Sequence, residues 1–146
     1  MSRGNTLSFG TGGIVKSVET ATGYGIELPS GLVMRYDDLQ YEQGERGVEF
    51  NYKTRRGRTR IYGGKVTENV CQAIARCIMG EQMLAIAKRY KPVLTVHDSV
   101  VCCVPDDELD EARQYIEECM STTPSWAEGM PITCESGIGK SYGDCE

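Results

Sequence analysis

A histidine and an aspartate stand together between two apolar runs. The pair His97-Asp98 follows residues 93–96 (VLTV) and precedes residues 100–104 (VVCCV). Two apolar strands separated by so short a polar segment predict a buried hairpin over about 93–104, with the pair at its tip. A carboxylate in such surroundings is costly to desolvate without compensation. Three interpretations follow: an ordinary polar turn, half of an acid–base pair in a hydrolase, or a carboxylate presented to Mg²⁺, which prefers oxygen ligands.

Cations are concentrated in the first half of the chain. Residues 1–65 carry ten Lys and Arg against seven Asp and Glu, a net charge of +3, whereas residues 66–146 carry six against fourteen, a net charge of −8. Phosphate binding depends on local density of cations more than on the total charge of −5. The densest cluster predicts either a phosphate-binding segment or a solvated hairpin tip. It consists of Lys53, Arg55, Arg56, Arg58 and Arg60.

Composition and cysteine spacing predict one cytoplasmic domain of about ordinary size. The chain has 146 residues, 40% hydrophobic and 25% charged, with no apolar run near the roughly 20 residues that cross a bilayer and no secretory signal at its start. No Cys-x-x-Cys pair is present, and His97 is the one histidine, so a zinc site is not predicted. We expect the seven cysteines to be free thiols, since their number is odd.

The elements that must position these residues predict an α+β fold. Residues 1–62 are expected to be β-rich, with a hairpin over 26–36 and a second strand pair at 48–53 and 58–62 that carries the basic cluster at its turn. Residues 63–146 are expected to form a second subdomain. Its predicted elements are a long helix over about 66–89, the hairpin, a helix over about 106–122 and a last strand over 131–135. Helices would pack on an antiparallel sheet.

Several segments of the chain resemble the family A DNA polymerases, in particular their phage members. Residues 94–101 (LTVHDSVV) are similar to motif C, the hairpin that carries a metal-binding Asp in the palm of those enzymes. Residues 62–76 (YGGKVTENVCQAIAR) are similar to the helix that precedes motif C. Residues 28–31 (LPSG), 122–127 (TTPSWA) and 137–140 (GIGK) also follow the layout of the phage enzymes. The resemblance covers about residues 24–142.

The resemblance implies roles for individual residues. Asp98 would bind catalytic Mg²⁺, and His97 would contact the primer terminus. Gln72 and Arg76 would face the duplex from the long helix, with Gln72 at the minor groove and Asn69 a weaker candidate. The five cations of residues 53–60 would contact phosphates of a DNA primer–template. The setting would be the cytoplasm of an infected bacterial host.

The chain also departs from the family pattern. Ser99 stands where polymerase I enzymes usually carry Glu, and Cys77 stands where an acidic residue is common. Motif A, which supplies the partner Asp of the two-metal site, and motif B, which binds the deoxynucleotide on the fingers, are not found. We therefore expect a polypeptide carrying motifs A and B to complete the enzyme, and the chain alone to be inactive. The alternative is a non-catalytic DNA-binding module derived from a polymerase palm.

Overall fold

The computed structural model describes residues 6–44 and 47–145. It combines helices with antiparallel sheets, which confirms the predicted α+β class. The chain divides into two compact units, Met1–Ile74 and Ala75–Glu146. In the described ranges, no helix is long and apolar enough to cross a membrane.

The first unit contains two antiparallel sheets. Four strands form the first sheet in chain order: β1 (Ser8–Phe9), β2 (Val15–Thr20), β3 (Gly23–Glu27) and β4 (Val33–Asp37). The second sheet consists of β5 (Gln40–Gly44), β6 (Gly47–Thr54) and β7 (Gly57–Ile61), with β6 in the centre. The predicted hairpins over 26–36 and 48–62 are thus present. Proline and glycine at 29–31 close the first one, where Gly31 takes a φ of 80°.

The long helix α1 (Gly63–Ile86) begins in the first unit and continues in the second. It starts earlier than predicted because the carbonyl of Tyr62 already accepts a helical hydrogen bond from the N–H of Val66 (3.0 Å). It also ends before the predicted residue 89. There the N–H groups of Lys88 and Arg89 bond carbonyls three residues back, which tightens the last turn.

The second unit packs two helices and a hairpin around one core. The hairpin consists of β8 (Pro92–Val96) and β9 (Ser99–Cys102), and the second helix is α2 (Leu109–Ser121), preceded by a 3₁₀ turn at Asp106–Glu108. Ile86 at the end of α1 is fully buried and packs with Ala112 and Cys119 of α2. Val100 and Cys102 of β9 pack against the same core. Hydrophobic burial therefore joins the hairpin to both helices.

Two structural predictions for this unit are wrong. The hairpin is not buried within the chain: Val93 and Leu94 are 51% and 46% exposed, because only one side of it packs on the core. The strand predicted over 131–135 does not form. In the described part of the chain this segment has no strand partner. Side chains attach it to α2 instead, where Cys134 Sγ donates to the Glu117 carbonyl (3.5 Å).

Candidate functional site

The pair His97-Asp98 forms the whole turn between β8 and β9. Val96 and Ser99 are paired across the strands, so the loop has two residues. His97 has a φ of 52°, in the left-handed region that non-glycine residues seldom occupy, although His is one of the more tolerant. The Ser99 hydroxyl donates to the Val96 carbonyl (2.8 Å) and closes the turn. Both His97 and Asp98 are exposed.

The Asp98 carboxylate is available to a ligand. Across residues 6–44 and 47–145 it makes no side-chain hydrogen bond and no ion pair. Nor do any three His, Cys, Asp or Glu side chains in those ranges lie close enough together to hold a metal ion. A divalent cation needs several oxygen ligands. The residues described here therefore do not by themselves fit a magnesium site, and Asp98 can supply one ligand only.

Gln72 and Arg76 lie one turn apart on α1 and are both exposed. The Gln72 amide donates to Glu68 at 3.5 Å, the outer limit of a hydrogen bond. Arg76 makes a weak contact with the Met83 sulfur (3.9 Å). Neither side chain is held by a strong internal partner. Asn69 makes a similarly long contact, since its amide donates to the hydroxyl of the buried Tyr36 at 3.4 Å.

The basic cluster surrounds the β6–β7 hairpin. Arg55 and Arg56 form its two-residue turn, and Lys53 pairs with Arg58 across the strands. The turn is closed by Thr54, whose hydroxyl donates to the Gly57 carbonyl (2.8 Å).

The five cations fall into two groups by their contacts. Arg58 donates to the Asp38 carboxylate (2.6 Å), to the Asp38 carbonyl (2.7 Å) and to the side chain of Asn51. Arg60 forms an ion pair with Glu49 (2.7 Å). In the described part of the chain, Lys53, Arg55 and Arg56 form no ion pair, and all three are exposed. These three cations are the ones free to meet a phosphate.

The contact with Arg58 also affects the pKa of Asp38. Its hydrogen bonds are the main cause that lowers the pKa of the Asp38 carboxyl below the ordinary value of 3.8, followed by the hydrogen bond from Gln40. Asp38 directly follows β4 and takes a φ of 47°, a value that Asp tolerates. Arg58 thus fastens the second sheet to the end of the first. Its predicted contact with DNA stays a prediction.

The sequence did not predict the contacts of three residues that support the two hairpins. Asp38 and Asn51 receive the Arg58 guanidinium, and Ser99 closes the β8–β9 turn. The alternation of Glu49, Asn51 and Lys53 along β6 was an available signal, since period-two polarity places all three on one face. Contacts from Asp38, 20 residues before Arg58, left no local signal. The basic hairpin and Gln72 belong to the first unit, and Arg76, His97 and Asp98 belong to the second.

Comparison with known proteins relates the chain to phage DNA polymerases. It is 36% identical over 127 residues to a DNA polymerase of Bacillus phage SP02, a match that covers 80% of this chain and 19% of that polymerase. It is 26% identical over 136 residues to a DNA polymerase of Bacillus phage SP01, covering 89% of this chain and 13% of the relative. The chain therefore spans less than a fifth of the length of these relatives. No protein-family model and no solved structure matches it.

These matches confirm one part of the sequence prediction, the similarity to a segment of phage DNA polymerases. Membership of family A and the motif C assignment stay predictions. The same holds for the roles of the individual site residues.

Proposed function

We propose that this chain is the motif C part of the palm of a phage family A DNA polymerase. Template-directed nucleotidyl transfer would need motifs A and B from another segment or from a partner polypeptide. The observation that carries the proposal is the position of Asp98: an exposed carboxylate in a two-residue turn, without an internal partner in the described ranges. A charge placed there does not serve the hairpin, so a ligand is the better explanation.

His97 supports the same interpretation. A non-glycine residue at positive φ costs free energy, and such residues cluster at functional sites. Glycine would fit this position without that cost. We infer that the imidazole is kept at the tip because it contacts the primer terminus.

Asp98 would be one ligand of Mg²⁺, and motif A would supply another carboxylate. The bound ion would contribute positive charge near the phosphates that react. Lys53, Arg55 and Arg56 would bind phosphates of the primer–template, since they form no ion pair in the described part of the chain. Gln72 and Arg76 would contact the duplex from α1. Gln72 suits the minor groove, whose acceptors vary little with sequence.

Primer extension tests this proposal. The chain is mixed with a polypeptide that carries motifs A and B, together with primer–template, Mg²⁺ and deoxynucleotides. We expect extension in the mixture, none from the chain alone, and none in the mixture with Asp98→Ala. Asp107→Ala is the matched control, because Asp107 is an exposed acid of the same unit outside the hairpin and should leave extension unchanged.

Two outcomes would contradict the proposal. Equal extension with Asp98→Ala would remove Asp98 from the metal site. Failure of every mixture, with salt-sensitive binding of duplex DNA retained, would identify the chain as a non-catalytic DNA-binding module.

A further inference from the structure

The sheet β5–β7 has an apolar face that the proposed function does not use. Tyr41 of β5 and Phe50 of β6 lie directly opposite each other, with ring centroids 6.2 Å apart. Side chains alternate along a strand, so Asn51 and Lys53 lie on the opposite, polar face. Tyr41 is 74% exposed and Phe50 is 44% exposed. Two neighbouring aromatic rings are therefore presented to solvent rather than packed into the core.

An apolar pocket adjoins Phe50. Ile61 and Tyr36, both buried, line it together with Leu39 and Tyr62. Tyr62 is 63% exposed, so it adds a third accessible ring beside this depression. Because the strands and the buried residues fix the backbone here, the rings are held on a preformed surface of the first unit.

We propose that this aromatic face, formed by Tyr41, Phe50 and Tyr62, binds single-stranded nucleic acid by stacking bases on its rings. The inference rests on the proposed function, because it extends DNA binding by this segment to an unpaired strand. Aromatic platforms with nearby cations are the usual way to hold single strands without sequence preference. Such stacking accepts every base, since each has a π-face.

The cations at the end of this sheet suit a polyanion such as nucleic acid. Residues 1–65 carry a net charge of +3. Arg55 and Arg56 form the turn at the end of the same sheet, without ion pairs in the described ranges. Phe50 and Arg55 are five residues apart, about 16 Å along an extended strand. One strand of nucleic acid can therefore stack on the rings and reach the turn with its phosphates.

The test uses the full chain and a fluorescein-labelled oligothymidylate of about 12 nucleotides. Fluorescence anisotropy measures the affinity. We expect Tyr41→Ala and Phe50→Ala each to weaken binding about tenfold, the loss of one base–aromatic stack. Phe50→Tyr should retain the affinity because it keeps a ring. Val48→Ala is the matched control, since Val48 is apolar, 55% exposed and on the same face of β6.

A further variant, Phe50→Leu, separates stacking from general apolar contact. It should bind as weakly as Phe50→Ala while keeping the apolar area. Full affinity of Phe50→Leu, or an equal loss with Val48→Ala, would overturn the inference. Thermal unfolding followed by circular dichroism establishes that each variant is folded.

Binding of duplex DNA distinguishes failure of the single-strand inference from failure of the proposed polymerase function. Binding of blunt duplex without binding of the single strand would overturn this inference and leave the proposed function intact. Binding of neither would count against both. Self-association in sedimentation experiments that Tyr41→Ala abolishes, without single-strand binding, would assign the aromatic face to a second copy of the chain.

Discussion

The β6–β7 and β8–β9 hairpins both turn on two residues, and in both a hydroxyl side chain donates to a carbonyl across the turn at 2.8 Å. Their charges differ in what they contact. In the basic hairpin, Arg58 and Arg60 are held by carboxylates of the same unit. In the β8–β9 hairpin, Asp98 has no such partner in the described part of the chain.

The two turns also differ in the residue that takes positive φ. In the basic hairpin it is Gly57, at 125°, where glycine carries no steric penalty. In the β8–β9 hairpin the residue at positive φ is His97, at 52°. The β6–β7 hairpin therefore uses Arg58, Arg60 and Gly57 for its own stability, whereas in the described part of the chain the side chains of His97 and Asp98 make no contact that stabilises the β8–β9 turn. This difference supports the proposal that His97 and Asp98 serve a ligand.

The largest effect we expect concerns the cations of the basic hairpin that lack ion pairs. Replacing Lys53, Arg55 and Arg56 together by Gln should weaken binding of duplex DNA about 10- to 100-fold at low salt. The slope of log affinity against log salt should fall by about 2 to 3, because up to three phosphate contacts are lost. Anisotropy titrations at several salt concentrations measure both quantities.

Arg58→Gln with Arg60→Gln is the contrasting variant. Both side chains already bond to carboxylates, so this variant should lose thermal stability while changing the salt slope less than the triple variant does. An equal change in slope would show that the internal ion pairs do not keep these two arginines from DNA.

The second effect concerns the residue at positive φ. Gly57→Ala should destabilise the chain by about 1–2 kcal/mol, because the cost is conformational and no neighbouring atom lies within 4 Å of an added Cβ. His97→Gly should leave stability equal or raise it by up to about 1 kcal/mol. Urea denaturation measures both.

His97→Gly should nevertheless reduce primer extension in the reconstituted mixture, since the imidazole is lost. A marked loss of stability in His97→Gly would show that the histidine stabilises the β8–β9 turn. It would then contradict the contrast between the two hairpins.

Much of the contrast between the two hairpins could be predicted from the sequence. Where a prediction from the sequence was wrong, the reason is physical. The apolar runs around His97-Asp98 predicted the hairpin and its tip correctly, since the signal is local. The exposure of Val93 and Leu94 could not be predicted from an apolar pattern alone, which does not say how many sides of a hairpin are packed. The engagement of Arg58 depends on Asp38, brought close by the fold. The wrong strand over 131–135 had the right composition but no partner edge among the described residues.

A third, smaller effect separates structural from functional charges by stability alone. Arg58→Ala should lower the midpoint of thermal unfolding by about 2–5 °C, a modest amount because the ion pair is partly exposed. Arg58→Lys should restore only part of this, since lysine lacks the planar fork that reaches Asp38 and Asn51 together. Asp98→Ala should not lower the midpoint. A drop of similar size in Asp98→Ala would assign a structural role to that carboxylate.

The smallest effect is the pH dependence of the Asp38–Arg58 interaction. Arg58 and Gln40 lower the pKa of the Asp38 carboxyl in the folded chain below its ordinary value of 3.8. The ionised form is therefore favoured by folding, so its contribution to stability is fully present above pH 3.8 and is lost as the pH falls through the lower folded pKa.

Asp38→Asn should unfold at a lower temperature than the unmodified chain at pH 7. The difference between the two midpoints should narrow below pH 3.8. Glu117, whose pKa is lowered by hydrogen bonds from Ser136 and Arg113, titrates in both proteins and cancels in the difference. If the difference between the two midpoints stays constant down to strongly acidic pH, the charge of the Asp38 carboxylate does not contribute to its interaction with Arg58.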